Sequence, residues 1–101
     1  MIYEQATEYL VSALPLDGPD VYQFTITVAW RAGDRWAVLD RVKRCLSTDG
    51  EWDWEPLPSE RDDEWLATHR FPLARALELA REQAPLMRCM GKTAREWLAV
   101  T

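Results

Sequence analysis

The chain has 101 residues, of which 48 % are hydrophobic and 29 % charged, and its 17 acidic against 12 basic side chains give a net charge of −5. This length and apolar content predict one folded domain over residues 1–101 rather than a disordered chain. No segment approaches the roughly 18 apolar residues of a membrane span and the N-terminus is acidic, so we expect a cytoplasmic protein that binds neither membrane nor, directly, nucleic acid.

The first predicted element is a helix over residues 3–14. Apolar residues recur there at three- and four-residue intervals, which is the spacing of one helix face, and the glutamates fall on the opposite face. Pro15 and the residues 16–20 (LDGPD) then end the helix and predict a turn.

The next two elements are predicted to form a β-hairpin. Residues 21–30 alternate as a strand does and are rich in β-branched side chains, and the second strand runs over about 35–46. Residues 31–35 (RAGDR) reverse the chain at Gly33, which accepts a positive φ. The register that keeps both apolar stripes on one face pairs Arg31 with Arg35, Trp30 with Trp36 and Val28 with Val38.

Tryptophans alternate with acids in residues 51–55 (EWDWE), which predicts a strand with Trp52 and Trp54 on one face. Pro56 and Pro58 cannot continue a β-ladder, so we expect this strand at the edge of a sheet. Its carboxylates also discourage pairing with another chain at that edge.

Residues 59–71 allow two interpretations. Ser59 and Asp62 match the start of a short capped helix, whereas residues 65–71 (WLATHRF) alternate like a fourth strand. We favour the strand because Pro72 disfavours a helical backbone at the residue before it.

The C-terminal part predicts two helices. The first covers residues 73–84 with one apolar stripe, and a capping box formed by Thr93 and Glu96 opens a second helix that runs through Val100. Residues 86–90 (LMRCM) favour neither helix nor strand. The elements together predict an α+β fold with an N-terminal helix, an antiparallel sheet of three or four strands, and C-terminal helices packed on one face.

Negative charge is concentrated in residues 49–64, which hold eight acids and one base for a local charge of −7. Such a field speeds association with a basic partner, and tryptophans are favoured anchors of protein interfaces. A solvated loop, with both tryptophans packed in the core, is the plainer alternative. The candidate binding residues are Glu51, Trp52, Asp53, Trp54, Glu55, Asp62, Asp63 and Glu64.

Other chemistry has little support in the sequence. Cys45 and Cys89 predict free thiols rather than a disulfide scaffold, and no ligand spacing predicts a metal or a cofactor. His69 is the only histidine, so a small hydrolase-like enzyme in this chain would have to centre on it.

Short motifs within residues 36–100 resemble small proteins of actinobacteria and their phages. The motifs are Cys45-Leu46, Asp49-Gly50, Trp52, Glu55-Pro56, Pro58-Ser59, Arg61, Asp63, Trp65, Arg70-Phe71, Ala76-Leu77, Met90-Gly91 and Thr93-Ala94. The ten arginines against two lysines are similar to what GC-rich genomes of that group encode. The resemblance implies a small cytoplasmic accessory protein of phage or mobile-element type and carries over no catalytic residue.

Three functions are compatible with these features. The leading hypothesis is a non-catalytic protein-interaction module that uses its acidic, tryptophan-containing segment to bind a protein with a basic surface. The alternatives are an acidic DNA mimic that inhibits a nucleic-acid-binding protein, and a small hydrolase-like enzyme centred on His69. Self-association through an open sheet edge is compatible with all three.

Overall fold

The computed structural model describes residues 1–18 and 21–99. Its strands and helices are β1 (Glu8–Val11), β2 (Ile26–Ala32), β3 (Arg35–Leu39), β4 (Cys45–Leu46), β5 (Trp52–Asp53), α1 (Asp63–His69), α2 (Leu73–Gln83), β6 (Arg88–Cys89), β7 (Lys92–Thr93) and α3 (Ala94–Ala99). Single 3₁₀ turns lie at Val21–Phe24, Pro58–Glu60 and Ala84–Leu86. The first five strands form one antiparallel sheet in the order β1-β2-β3-β4-β5, and β6 pairs with β7. The predicted α+β class is therefore confirmed.

The β2–β3 hairpin has the predicted register over most of its length. Trp30 pairs with Trp36, and the turn between the strands places Gly33 at a φ of 51°. A bulge between Trp30 and Ala32 makes Ala32, rather than the expected Arg31, the partner of Arg35. The apolar stripes still share one face, because the bulge lies beyond the paired core residues.

The predicted second strand over residues 35–46 is wrong, because the chain reverses between β3 and β4. The buried carboxylate of Asp40 accepts hydrogen bonds from the backbone N–H groups of Val42 and Arg44 at 3.1 and 2.8 Å, and the Arg44 guanidinium lies 2.7 Å from the same carboxylate. Lys43 takes a φ of 68° to complete the turn. One predicted strand thus becomes two antiparallel ones. The first strand also begins later than predicted, at Ile26, because a 3₁₀ turn occupies Val21–Phe24.

The predicted N-terminal helix over residues 3–14 is wrong as well. Glu8–Val11 form β1, which pairs with β2, and residues 1–7 lie outside any helix or strand. The Tyr9 ring lies 5.8 Å from the ring of Trp36, and the half-buried Val11 packs against the core, so pairing with β2 supplies tertiary contacts and backbone partners that a short isolated helix lacks. Of the predicted turn over residues 16–20, Pro19 and Asp20 lie outside the described residues.

The sheet has an apolar cluster on each face, and a different helix covers each one. On the first face, Ile26, Val28, Trp36, Val38 and Leu46 pack against the apolar stripe of α2. On the second face, Ala29, Ala37, Leu39 and Cys45 pack against Trp65 of α1. The prediction of helices on one face is therefore incomplete, because α1 lies on the other.

The predicted strand over residues 65–71 is a helix as far as His69. The Asp62 carboxylate caps α1 by accepting a hydrogen bond from the Trp65 N–H at 2.8 Å. Pro72 restricts only the residues next to it, and Phe71 forms a two-way backbone bridge to Trp36 with N···O distances of 2.8 and 2.9 Å.

The C-terminal helices follow the prediction closely. The α2 helix ends at Gln83, one residue before the predicted end, and residues 86–90 include a 3₁₀ turn followed by the short strand β6. The Thr93 hydroxyl accepts a hydrogen bond from the Glu96 N–H at 3.2 Å, as a capping box requires. The predicted end at Val100 lies outside the described residues.

Candidate functional site

The strand β5 forms one edge of the five-stranded sheet, as predicted for residues 51–55, although only Trp52 and Asp53 pair. Trp52 lies opposite Leu46 and packs, half-buried, against the first-face cluster. Asp53 lies opposite Cys45 and so belongs to the second face. Successive side chains of a strand point to opposite faces of the sheet, so Trp52 points into the core and Asp53 points towards α1.

Two of the predicted binding acids contact side chains of the same chain. Asp53 accepts a hydrogen bond from His69, with 2.8 Å between Oδ2 and Nε2. Glu55 pairs with the buried guanidinium of Arg70 and lies 3.6 Å from that of Arg61. We call these five residues the β5–α1 polar cluster.

His69 occupies a closed position within this cluster. Its Nδ1 lies 2.9 Å from the Trp65 carbonyl oxygen and 2.8 Å from the Thr68 hydroxyl, so both ring nitrogens have partners. The imidazole stacks on the Trp65 ring at 4.3 Å with an interplanar angle of 4°. The Arg70 guanidinium lies 5.0 Å from the centre of the same indole and donates to the His69 carbonyl at 3.0 Å. The arrangement is that of a structural anchor, which holds α1 on the sheet.

Both cysteines are free, as predicted, but their surroundings differ. Cys45 is fully buried beneath the polar cluster, and burial, followed by the negative charge of Glu55, raises the pKa of its thiol. Cys89 is half-buried and its thiol donates to the side-chain oxygen of Gln23. The environment of Cys45 is therefore the opposite of that of an activated cysteine, which needs a lowered pKa.

The segment exposes one indole, one leucine and several carboxylates. Trp54 is 69 % exposed and Leu57 is 65 % exposed. The acids Glu51, Asp62, Asp63 and Glu64 are all exposed, the last three at the start of α1. We call these six residues the β5 docking surface.

Internal hydrogen bonds hold the loop that carries this surface. The Arg61 side chain donates to the Pro56 carbonyl at 2.9 Å, and the Glu60 N–H donates to the Leu57 carbonyl at 2.8 Å. Trp54 directly precedes Glu55, and Asp62 directly follows Arg61, so the Glu55–Arg61 pair at 3.6 Å connects the two stretches that carry the indole and the acids.

Sequence reasoning missed two features of this region. It did not foresee that Asp53 contacts His69 and that Glu55 pairs with Arg70, nor that Leu57, three residues after Trp54, is exposed. The alternation of residues 51–55 could have indicated the first feature. It places the acids on the face opposite the tryptophans, where carboxylates covered by another element need hydrogen-bonding or cationic partners.

Comparison of the chain with family profiles, curated proteins and solved structures gave no match. Across residues 1–18 and 21–99, no three histidine, cysteine or carboxylate side chains converge as a metal-binding group.

Proposed function

We propose that this protein is a non-catalytic interaction module that uses the β5 docking surface to bind another protein through a basic patch. The observation that carries the proposal is the 69 % exposure of Trp54, an indole in the most acidic stretch of the chain, on a loop held by internal hydrogen bonds. Tryptophans presented in this way are enriched among the residues that dominate binding energy.

Desolvation of this indole supplies the expected affinity. A tryptophan buries roughly 150–250 Å² when enclosed, and the exposed part of Trp54 corresponds to about 3 kcal/mol at ~25 cal/mol per Å². Because the loop is already ordered by Arg61, binding loses less conformational entropy than it would with a mobile loop.

The remaining carboxylates determine the chemistry of the partner. Asp53 contacts His69 and Glu55 pairs with Arg70, which leaves Glu51, Asp62, Asp63 and Glu64 to face a partner. Exposed acids around an apolar anchor steer a basic surface and disfavour an acidic one. The interaction is therefore expected to weaken as salt concentration rises.

The two alternative functions have less support. A hydrolase centred on His69 would need a free ring nitrogen, and both nitrogens are hydrogen-bonded beneath α1. A DNA mimic would need phosphate-like carboxylates along an extended surface. Asp53 and Glu55 instead bond to His69 and Arg70 of the same chain. The described chain contains no helix with the length and apolar character needed to cross a membrane. We place the module in the cytoplasm, as an accessory protein of phage or mobile-element type, on the resemblance described above.

The test is affinity capture followed by titration of the purified partner. Trp54→Ala should weaken binding at least about tenfold, because it removes the anchor without disturbing the core. The double variant Asp63→Lys/Glu64→Lys should weaken binding and reduce its salt dependence.

Two matched controls separate the surface from general effects. Tyr22→Ala removes an aromatic side chain of similar exposure elsewhere, and Glu78→Lys/Glu82→Lys reverses two exposed charges on α2. Both should bind like the unaltered protein. A partner whose affinity is unchanged by Trp54→Ala, or the failure to capture any protein, would contradict the proposal.

A further inference from the structure

The strand β1 lies at the opposite edge of the sheet from β5. The Thr7 carbonyl accepts a hydrogen bond from the Trp30 N–H at 2.8 Å, so Thr7 and Trp30 form a hydrogen-bonded pair of the β1–β2 ladder. Such pairs alternate along antiparallel strands, so Tyr9 and Val11 also bond towards β2. The backbone N–H and C=O groups of Glu8 and Leu10 must therefore point away from the sheet.

The two edges of the sheet differ in how they are protected. Acids and the prolines Pro56 and Pro58 flank β5, which is how natural proteins prevent edge-to-edge pairing. The outer face of β1 instead presents Leu10, which is 56 % exposed, together with part of Tyr9. The preceding segment includes Met1, Ile2 and Tyr3, whose apolar side chains are almost fully exposed. We call residues 1–7 the N-terminal arm.

An apolar cavity of about 470 Å³ lies at the other end of β1. Its lining includes Leu14, Pro15, Phe24, Met90 and Trp97. The arm leaves β1 at the end near Trp30, whereas the cavity follows Val11, so the arm runs away from the cavity of its own chain. An antiparallel neighbour at this edge would bring a second arm to the cavity.

We infer that the occupant of this edge is a second copy of the chain, with the two β1 strands paired antiparallel about a two-fold axis at Leu10. Each arm then passes the Leu14–Pro15 segment of the other copy and covers its apolar cavity. A two-fold axis perpendicular to the sheet pairs residues of the same parity, so Leu10 faces Leu10, Tyr9 faces Val11 and Glu8 faces Ser12.

This register agrees with the hydrogen bonding and the charges. Leu10 has outward-pointing backbone groups, so two copies of it can exchange both hydrogen bonds at the axis. An axis at Tyr9 would instead bring the two Glu8 carboxylates close to each other, whereas the axis at Leu10 separates them and places each opposite Ser12.

The arm is needed as well as the strand. A stable interface buries about 800 Å² on each partner, which four paired residues do not provide. The exposed side chains of Met1, Ile2 and Tyr3, with the cavity that receives them, add the missing apolar area. The resulting ten-stranded sheet has a β5 docking surface at each outer edge. The dimer is a property separate from the proposed function, and it would present that surface twice.

The experiment is sedimentation velocity of the full chain over a wide range of protein concentration, up to the millimolar level. The unaltered protein should dimerise reversibly. Leu10→Glu places a charge at the axis and should weaken the dimer at least about a hundredfold, while deletion of residues 1–6 should weaken it at least about tenfold.

Leu57→Glu is the matched control, because it makes the same change at a similarly exposed leucine on the opposite edge. It should leave the dimer intact, because β1 and β5 lie at opposite edges of the sheet, and Trp54→Ala should weaken only the binding of the proposed basic partner. Circular dichroism and thermal unfolding at low concentration should show that each variant keeps its fold. Failure of the dimer and failure of the docking surface are therefore measured separately.

A cross-linking experiment tests the register directly. In a Cys89→Ser background, Leu10→Cys should form an intermolecular disulfide on mild oxidation, because Cα atoms of a hydrogen-bonded antiparallel pair lie ~5.5 Å apart, within disulfide range. Leu57→Cys should not. A protein that stays monomeric at every concentration, or a dimer that resists Leu10→Glu but dissociates with Leu57→Glu, would overturn the inference.

Discussion

The guanidinium of Arg70 is buried between the sheet and α1, with only 4 % of its side chain exposed. Glu55 supplies its countercharge, and the Trp65 ring lies beside it at 5.0 Å. A buried cation of this kind does not make a protein stable by itself, but removal of its partner leaves an uncompensated charge. Glu55 is therefore a structural residue, although it lies in the most acidic stretch of the chain.

The first prediction concerns this ion pair. Glu55→Gln should lower the free energy of unfolding by about 3 kcal/mol, because Arg70 then stays buried without a countercharge. Glu51→Gln, an isosteric change at an exposed acid of the same segment, should stay within about 0.5 kcal/mol. Urea unfolding followed by circular dichroism measures both values. Equal effects of the two substitutions would show that Glu55 does not stabilise Arg70.

The second prediction concerns the two thiols. The thiolate is the reactive species, so the buried Cys45, whose pKa is raised, should react with a thiol reagent much more slowly than Cys89. Because folded Cys45 holds its proton more tightly than the unfolded chain does, its contribution to stability should be lost as pH rises past about 8.5. Mass spectrometry after timed labelling measures the rates. Similar rates in the folded protein would contradict the burial of Cys45.

At the scale of elements, α1 illustrates how a short helix depends on its surroundings. Seven residues are too few for an isolated helix to be stable in water. Asp62 caps the helix, Asp63 and Glu64 interact favourably with its N-terminal dipole, and His69 attaches its last turn to β5. The helix therefore exists because its two ends are held.

The third prediction tests the cap. Asp62→Ala should lower the free energy of unfolding by about 1 kcal/mol, because the Trp65 N–H loses its acceptor. Ser59→Ala is the control, since Ser59 belongs to the preceding 3₁₀ turn and not to the cap of α1. Chemical denaturation measures both changes. A larger loss of stability with Ser59→Ala than with Asp62→Ala would contradict the assignment of Asp62 as the cap of α1.

At the scale of the whole molecule, the sheet and α2 form the main core, and the C-terminal elements lie outside it. The strands β2 and β3 contribute side chains to clusters on both faces of the sheet. The strands β6 and β7 form a separate two-stranded sheet, to which the Trp97 side chain is attached by a 3.2 Å hydrogen bond to the Cys89 carbonyl. Local stability should follow this division.

The fourth prediction is a difference in hydrogen exchange. Amides of residues 26–39 should exchange only through global unfolding, whereas those of residues 88–98 should exchange at a lower free energy through local opening. Exchange followed by mass spectrometry of peptides measures both regions in one experiment. Uniform protection would mean that the C-terminal elements unfold together with the sheet.

Features whose cause is local could be predicted from the order of residues alone. The hairpin register was predicted from the alternation of residues 26–30, the turn at Gly33 and the apolar residues of the second strand. The cap of α3 was predicted from the spacing of Thr93 and Glu96. These patterns act between neighbours in the chain, so periodicity and turn chemistry are sufficient to predict them.

Long-range packing made β1 a strand and α1 a helix, and it gave Asp53 and Glu55 their partners. Residues 8–11 have spacings compatible with helix or strand, and the adjacent edge of β2 selected the strand by supplying its hydrogen-bond partners. Asp53 and Glu55 have partners within the chain because α1 places His69 and Arg70 beside them, while Trp54 lies outside the core. Partners distant in sequence determine such outcomes, because burial and pairing energies exceed the small local preferences of a short segment.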